Sequence, residues 1–338
     1  MKEILITALT LSGDRKRLAE GIFATVLFLL FSALPSSAWN DTGHMTIGEL
    51  AWRKLSTSER NAASALLRQH PHYAQVLAAN LPPKATDTNE WIFLRATTWP
   101  DMVRPSRDPA HPKPGFITDF HHADWHYTNG PYVAPADLAS MHPSAHGEGK
   151  LLEAINLNEA ILKDHAKPAP DRAVALCWLL HLYGDLHQPL HCVAWFSPEF
   201  PQGDRGGNSV AIRPQTAAVV LHAFWDDLLG TGEHPLFIEH NAETIASDPA
   251  HTTARLKKDL AHTKVAQWAQ ESIDTAEAFA YLDGKLHHAK ILNGGIRDVT
   301  DAQVPALNSG YEATANAIAH RRAALAGIRL GQKLKGLF

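Results

Sequence analysis

Apolar residues recur every three or four positions along most of the chain from Thr46 onward, a spacing typical of amphipathic helices. Ser56 followed by Glu59 is a capping-box signal for a helix that ends near Leu67. Alternating patterns that would indicate strands are few. Helices are predicted over residues 56–67, 88–97, 150–163, 172–187, 222–229, 254–282 and 310–335. The expected fold class is therefore all-α, in a single helical domain.

Two stretches between the predicted helices are rich in turn residues. Residues 102–145 contain many Pro and His residues, and residues 196–215 include Gly203, Gly206 and Gly207. The chain shows no internal repeat and no linker. Because long loops inside a compact domain tend to carry function, we expect these two stretches to form the walls of a cleft.

The first 38 residues have the layout of a signal peptide. Basic residues at 15–17 precede an apolar run over residues 22–34, and small residues follow at 36–38. The apolar run has 13 residues, which is shorter than the roughly 18 expected of a membrane span. We predict cleavage after Ala38, location in the periplasm or outside the cell, and one mature domain over residues 39–338.

Composition and charge narrow the function classes. With 45% hydrophobic and 20% charged residues, the 338-residue chain has ample material for a buried core. The formal net charge is −4, and removal of residues 1–38 changes it to −5. Since no basic excess indicates a nucleic-acid surface, any charge that attracts phosphate must be local, and bound metal cations are the obvious source. The two cysteines, Cys177 and Cys192, exclude a disulfide scaffold, and the sequence leaves open whether they pair.

Two histidines have helical spacing to a carboxylate. His181 and Asp185 stand at i and i+4 on the helix predicted over residues 172–187, whose amino end Asp171 is expected to cap, and His222 and Asp226 repeat this spacing. Such pairs project from one face of a helix and can hold one cation. A core histidine that hydrogen-bonds a carboxylate one turn away is the alternative for each pair, but two pairs together favour a metal site.

A third histidine can join these pairs. Pro189 ends the helix that carries His181, so His191 can turn back toward the same pocket, whereas His187 is not expected to be a ligand. Most of the other histidines among the 21 stand in polar or Pro-rich contexts and are expected at the surface. This group comprises His70, His72, His111, His142, His146 and His251.

An ordered set of short motifs resembles a known family. The motifs are WNDTGH at residues 39–44, WPDMVR at 99–104, WHY at 125–127, LLHLYGDLHQPLH at 179–191, GGN at 206–208 and LHAFWDD at 221–227. WAQES at residues 268–272 and GIRLGQKL at 327–334 follow later in the chain. Together they are similar to the trinuclear zinc nucleases, the family of nuclease S-one and nuclease P-one, which are also described as 3′-nucleotidases. The resemblance covers essentially all of residues 39–338.

The resemblance implies a ligand set for three Zn²⁺ ions. One zinc would lie on Asp101, His126, His181 and Asp185, and a second on His191, His222 and Asp226. The third would be held by the amino nitrogen and carbonyl oxygen of Trp39, by His44, and by Asp185 as a bridge. The chelate at Trp39 is possible only after cleavage at Ala38.

The resemblance also implies substrate contacts. Asp101 would lie beside the attacking water, while Arg104 and Asn208 would neutralise the phosphate in the transition state. A surface salt bridge is the alternative for Arg104. Tyr127 would stack on an unpaired base. Asn129 would contact that base where the mould enzymes have Asp, so the base preference stays open.

The function implied by the resemblance is a secreted, zinc-dependent phosphodiesterase. It would hydrolyse single-stranded DNA and RNA to 5′-phosphorylated products and would also act on 3′-nucleotides. A zinc-dependent phospholipase C has the same fold and three-zinc plan, but it uses Glu at the position of Asp226. An exported zinc-binding protein without catalysis is a second alternative, and Arg104 and Asn208 disfavour it because a closed structural site has no use for them.

Overall fold

A computed structural model describes residues 39–79, 81–82, 87–106, 110–113, 115–143, 147–292 and 295–337. The predicted signal peptide and His146 lie outside these residues. Within the described part the chain is built of helices, which confirms the all-α prediction. The α-helices there are α1 (Asp41–Trp52), α2 (Thr57–Leu67), α3 (Thr88–Met102), α4 (Gly115–Thr118), α5 (Leu151–Lys163), α6 (Ala169–Asp185), α7 (Leu221–Asp226), α8 (Pro235–Ser247), α9 (Lys257–Leu260), α10 (Val265–Thr275) and α11 (Tyr311–Leu334).

Local signals set several helix ends. The predicted capping box is present at α2, where the Ser56 hydroxyl accepts from the Glu59 amide and the Glu59 carboxylate accepts from the Ser56 amide. Helix α6 begins earlier than predicted, with Pro168 at the capping position. Asp171 therefore lies in the first turn and does not cap the helix. The negative charge of Asp171 interacts favourably there with the positive end of the helix dipole.

The prediction missed two long helices, α1 and α8, and the four-residue α4, and one predicted helix is wrong. Nearly every residue of α1 is buried, so its sequence lacks the polar face on which the prediction relies. Helix α8 begins with a Pro residue and keeps Ile238, Ala242 and Ile245 on its buried side, a pattern that was visible in the sequence. The helix predicted over residues 254–282 is divided into α9, α10 and a π-helical turn, because a new capping arrangement between Lys264 and Gln267 starts α10.

Helix α1 is the centre of the helical core. It packs against α3, α8 and α11, and α6 in turn packs against α3 and α5. The main cluster of buried side chains includes Trp52 of α1, Trp99 of α3 and Trp178 of α6. The core therefore surrounds the helices on which His44, Asp101, His181 and Asp185 lie.

Short strands lie within and beside the two stretches predicted as loops. The strands are β1 (Gly130–Val133), β2 (Val193–Phe196), β3 (Val210–Ile212), β4 (Val219–Val220) and β5 (Ala289–Lys290). Strands β1 and β2 pair in parallel with Gly130 opposite Val193, while β3 pairs antiparallel with β4 and with β5. The β1–β2 pair attaches the first loop-rich stretch to the chain that directly follows His191.

Several histidines predicted at the surface are buried. His70, His72 and His251 are 3%, 3% and 8% exposed, because Trp99 packs over the first two and the Ile245 carbonyl accepts a hydrogen bond from the third. His111 and His142 are exposed, as predicted. Both cysteines are buried and neither forms a disulfide. Of the described helices, none is long and apolar enough to cross a membrane.

The contact between α1 and α11 yields a stability prediction. A Cβ atom at Gly327 of α11 would overlap the Cβ atom of Leu50 in α1. Alanine favours a helix by about 1 kcal/mol over glycine, but forced overpacking destabilises by about 1–3 kcal/mol. We therefore expect Gly327→Ala to lower the free energy of unfolding by up to about 2 kcal/mol in urea denaturation.

Gly336→Ala is the matched control, because a Cβ atom at Gly336 meets no atom within 4 Å among the described residues. Its free energy of unfolding should stay within about 0.5 kcal/mol of the wild-type value. Equal stabilities of the two variants would show that α1 and α11 are not closely packed at Gly327.

Candidate metal centre

Three groups of histidine and aspartate side chains meet inside the helical core. Helices α1, α3, α6 and α7 supply most of these residues, and the segments that end at His126 and His191 supply the rest. The groups are His44 with His181 and Asp185, Asp101 with His126 and His181, and His191 with His222 and Asp226. The structure thus brings together all eight side chains that were named from the sequence as zinc ligands. The ninth residue named, Trp39, is expected to bind through its main chain.

Asp185 lies between the first two groups and presents a different oxygen to each. Its Oδ1 is 3.4 Å from Nε2 of His44. Its Oδ2 is 3.2 Å from Nε2 of His181 and 3.2 Å from Nδ1 of His126. Oδ1 of Asp101 lies 3.7 Å from the same His181 nitrogen. This arrangement allows one carboxylate to serve two cations.

The third group lies where the turn after α6 meets α7. Nε2 of His191 and Nε2 of His222 are 3.1 Å apart. The Asp226 carboxylate lies 3.9 Å from the first of these nitrogens and 3.6 Å from the second. Gln188 donates a 2.7 Å hydrogen bond to Oδ1 of Asp226 and so orients this carboxylate.

Main-chain carbonyl oxygens orient three of the histidine rings. The Nδ1 hydrogen bonds run from His181 to Thr97 at 2.7 Å, from His191 to His126 at 2.5 Å and from His222 to Gly206 at 2.5 Å. A carbonyl oxygen can only accept, so each Nδ1 carries the hydrogen. In the neutral ring Nε2 then keeps its lone pair, and all three Nε2 atoms face the groups described above. This is how proteins usually present histidine to a metal.

Trp39 is fully buried beside the first group. Its indole nitrogen donates a 3.1 Å hydrogen bond to the carbonyl of Gly184, the residue before Asp185. A Cβ atom at Gly184 would lie 2.8 Å from Nδ1 of His44. Glycine at this position therefore permits α1 and α6 to approach closely enough for His44 to reach Asp185.

Arg104 and Asn208 lie at the edges of the groups. Nη2 of Arg104 is 2.7 Å from Oδ1 of Asp101, and Arg104 is 9% exposed. Arg104 thus forms a salt bridge, as the alternative held, but the ion pair is mostly buried and does not lie at the open surface. Asn208 lies next to Gly206, whose carbonyl orients His222, and its Nδ2 donates a 2.9 Å hydrogen bond to the Arg205 carbonyl. The structure shows no direct contact between Arg104 and Asn208 in the described residues.

Tyr127 directly follows His126 in the chain, and Asn129 lies two residues further on. This segment lies beside His191. The Thr128 amide donates to the His191 carbonyl, and Asn129 has a left-handed backbone with φ of 48°. Tyr127 and Asn129 are half-buried. Both residues named as base contacts are therefore next to the metal-binding groups in space and remain partly accessible.

A comparison of the sequence with protein-family models identifies the family. The family model described as S1/P1 Nuclease matches residues 39–338. The chain belongs to the S1/P1 nuclease family. It is therefore a nuclease, a hydrolase whose substrates are nucleic acids, in a metal-dependent family.

Relatives in Arabidopsis thaliana are similar over different lengths. Endonuclease 4 is 23% identical over 343 aligned residues, which cover 94% of this chain and 94% of that protein. Endonuclease 3 is 22% identical over 211 residues, which cover 60% of this chain and 59% of that protein. Endonuclease 2 is 27% identical over 175 residues, which cover 48% of this chain and 51% of that protein.

The electrostatics of this nuclease site call for added positive charge. Burial raises the pKa of Asp185 to about 7 and the pKa of Asp226 well above its usual range. Burial also lowers the pKa of His181 to about 4 and the pKa of His126 well below its usual range, so these rings are neutral at pH 7. Burial alone would raise the pKa of Asp101, but Arg104 and nearby histidines outweigh it and lower that pKa.

The donor atoms fit metal cations. Both ring nitrogens of His44 and Oδ1 of Asp185 are buried, and none has a hydrogen-bond partner within the described ranges. Nε2 of His191 and Nε2 of His222 face each other at 3.1 Å. In the neutral rings both atoms carry a lone pair and no hydrogen, so they cannot form a hydrogen bond with each other. Imidazole nitrogen with carboxylate oxygen is a common ligand set for zinc. A cation in each group would satisfy these atoms.

Two contributors to the site were not identified from the sequence. Gln188 holds Asp226, and the Thr97 carbonyl holds His181. Both residues lie within or beside the quoted motifs. The contact of Thr97 joins α3 to α6, and the contact of Gln188 joins the turn after α6 to α7. An amide residue between ligand histidines was the available signal for Gln188.

We expect Asp185→Asn to act in opposite directions on the metal-free and zinc-loaded protein. Without metal above pH 7, the substitution removes a buried charge, so the free energy of unfolding should not fall. Zinc at about 100 times its Kd should add about 2.7 kcal/mol to the wild-type value for each site. The variant should gain much less, because two of the groups lose a ligand charge.

Asp119→Asn provides the control, since this exposed carboxylate lies outside the three groups. Its response to zinc should match that of the wild type in thermal unfolding. An undiminished zinc response of Asp185→Asn would contradict the role of Asp185 as a shared ligand.

Proposed function

We propose that this nuclease is a zinc-dependent phosphodiesterase that cleaves single-stranded DNA and RNA to 5′-phosphorylated products and also hydrolyses 3′-nucleotides. The observation that carries the proposal is the position of Asp185 between two groups of neutral imidazoles, with a third group beside the same turn. Arginine and partly exposed tyrosine at the edge of these groups support catalysis over simple metal storage.

Three zinc ions would be held by the residues of these groups. Asp101, His126, His181 and Asp185 hold one ion, and His191, His222 and Asp226 hold another. His44, Asp185 and the main chain of Trp39 hold the third. When bound, the ions supply positive charge that lowers the pKa of a water nucleophile and attracts the phosphodiester. They would change the net charge of residues 39–338 from −5 to about +1, with the added charge concentrated in the site.

Arg104 and Asn208 act on the phosphate. The Arg104 guanidinium is held by Asp101, so it is pre-oriented and loses little conformational freedom when substrate binds. Charge that develops on the phosphate oxygens is stabilised most by donors already in place. Asn208 contributes an amide donor from the loop that also orients His222.

Tyr127 and Asn129 select the form of the nucleic acid. Stacking on the ring of Tyr127 requires a base whose face is open, which favours single strands over a duplex. Asn129 offers both a donor and an acceptor to the base edge, so several bases can be accommodated.

Export completes the proposal. Residues 1–38 are a signal peptide, residues 39–338 form the mature domain, and cleavage after Ala38 places the protein in the periplasm or outside the cell. The same cleavage creates a free amino group at Trp39. An amide nitrogen has no lone pair available for a metal, so this group can bind zinc only after cleavage.

The function is tested by incubating the protein that begins at Trp39 with single-stranded DNA, RNA, 3′-AMP, duplex DNA and lecithin. We expect cleavage of the first three, slower cleavage of duplex DNA, and loss of activity with a zinc chelator. Tyr127→Ala should reduce the preference for single strands by about 5- to 100-fold, the equivalent of one stacked base. Release of phosphocholine from lecithin without nucleic-acid cleavage would instead identify a phospholipase C.

The amino-terminal chelate is tested by adding one alanine before Trp39. The protein that begins at Trp39 should bind three zinc ions by elemental analysis. The extended form should bind two and lose most of its activity, because the nitrogen of Trp39 is then an amide. Three zinc ions and full activity in the extended form would show that cleavage serves export alone.

A further inference from the structure

Two arginines of α11 are buried behind the metal centre. Arg322 and Arg329 are 3% and 1% exposed. Both bind Glu271 of α10, with Nη1 of Arg322 at 2.9 Å and Nη2 of Arg329 at 2.7 Å from its carboxylate oxygens. We call Arg322, Arg329, Glu271 and Ser272 the Arg–Glu clamp. These residues lie in or near the WAQES and GIRLGQKL motifs, to which the proposed function assigns no role.

The Arg–Glu clamp holds the main chain of the turn that follows Asp185. Nε of Arg322 donates a 3.2 Å hydrogen bond to the His187 carbonyl. The Ser272 hydroxyl donates to the Leu186 carbonyl at 2.5 Å and accepts from Nη2 of Arg322 at 2.6 Å. The carbonyls of the two residues that directly follow α6 are therefore bound by α10 and α11.

The side chain of His187 is part of the same contact. Nη1 of Arg329 donates a 2.9 Å hydrogen bond to Nε2 of His187, and Nδ1 of His187 donates to the Tyr183 carbonyl at 2.8 Å. Arginine can only donate, so His187 is neutral and its Nε2 is already engaged. This explains why a buried histidine between two metal ligands lies outside the three groups.

The turn held in this way connects two parts of the metal centre. Asp185 precedes it, His191 follows it, and Gln188 within it binds Asp226. The side-chain oxygen Oε1 of Gln188 also accepts a 2.6 Å hydrogen bond from the Leu190 amide. Both the oxygen and the nitrogen of the Gln188 side-chain amide are therefore held. Two ligands of the third group, His191 and Asp226, thus depend on the position of one turn.

We propose that the Arg–Glu clamp is a positioning device that fixes this turn and thereby sets the zinc affinity of the group formed by His191, His222 and Asp226. The inference rests on the proposed zinc centre. The clamp residues are positioning residues, because they contact the turn and not the ions. Partners that orient metal ligands typically change metal affinity by about 10- to 100-fold when they are removed.

A structural role alone would have a different signature. Buried ion pairs contribute little net stability on average, and their replacement by apolar residues of similar volume is often neutral. Whether or not the unfolding temperature changes, a purely structural clamp would leave zinc binding to the folded protein unchanged. The positioning role changes zinc binding at temperatures where every variant is folded.

The test compares Ser272→Ala and Arg322→Met with Arg321→Met. Arg321 is the neighbouring residue on α11 and pairs with Asp259 at 2.5 Å, without a contact to the turn in the described structure. Zinc content and affinity are measured by chelator competition on the mature protein. The absorption spectrum of the cobalt-substituted protein reports the geometry of the ligands.

The wild type and Arg321→Met should bind three zinc ions. Ser272→Ala and Arg322→Met should keep two and bind the third about 10-fold or more weakly, with an altered cobalt spectrum. If Arg322→Met does not fold, Ser272→Ala alone tests the proposal, because this substitution removes only one oxygen atom. Unchanged affinity and spectrum in the clamp variants would overturn the inference and leave the zinc centre intact. A wild-type protein that binds no zinc would overturn the proposed function and, with it, this inference.

Discussion

The burial of aspartate carboxylates among neutral imidazoles is the constraint on which this structure depends. Asp185 is 0% exposed and Asp226 is 4% exposed, and the buried histidines around them have pKa values too low to supply positive charge. Charge buried in this way is strongly unfavourable unless it is compensated. The helical core is therefore completed by the cations that the site is built to hold, and folding and metal binding are linked.

The contrast between two buried charge clusters makes this argument specific. In the Arg–Glu clamp, Glu271 is compensated by Arg322 and Arg329, and the pKa of Glu271 falls to about 2 despite the opposing effect of burial. The negative charge of Glu271 is therefore compensated within the protein without any ligand. The metal centre lies on the other side of the same turn, and its cationic neighbour Arg104 is bound to Asp101 and not to Asp185 or Asp226. One cluster is thus scaffold and the other is a binding site, although both are buried.

The same logic accounts for a nuclease whose composition is acidic. The net charge of −4 gives no general attraction for phosphates. The proposed recognition is therefore local, through charge concentrated in the metal centre and an aromatic ring at its edge. Tyr127 and Asn129 lie within three residues of His126, and the pairing of β1 with β2 keeps this segment beside His191. The residues proposed to contact the base are consequently fixed to the metal centre by the backbone.

The helical class, the capping box at Ser56 and the facing pairs within α6 and α7 follow from the sequence, because spacing along a helix fixes which side chains share a face. The motifs identified the family. The fold was needed to show that Gln188 binds Asp226 and that His70 and His72 are buried, and it gives the distances from Asp185 to His44 and His126. These contacts join residues far apart in the chain, and they depend on how helices pack. Helical periodicity contains no information about that packing.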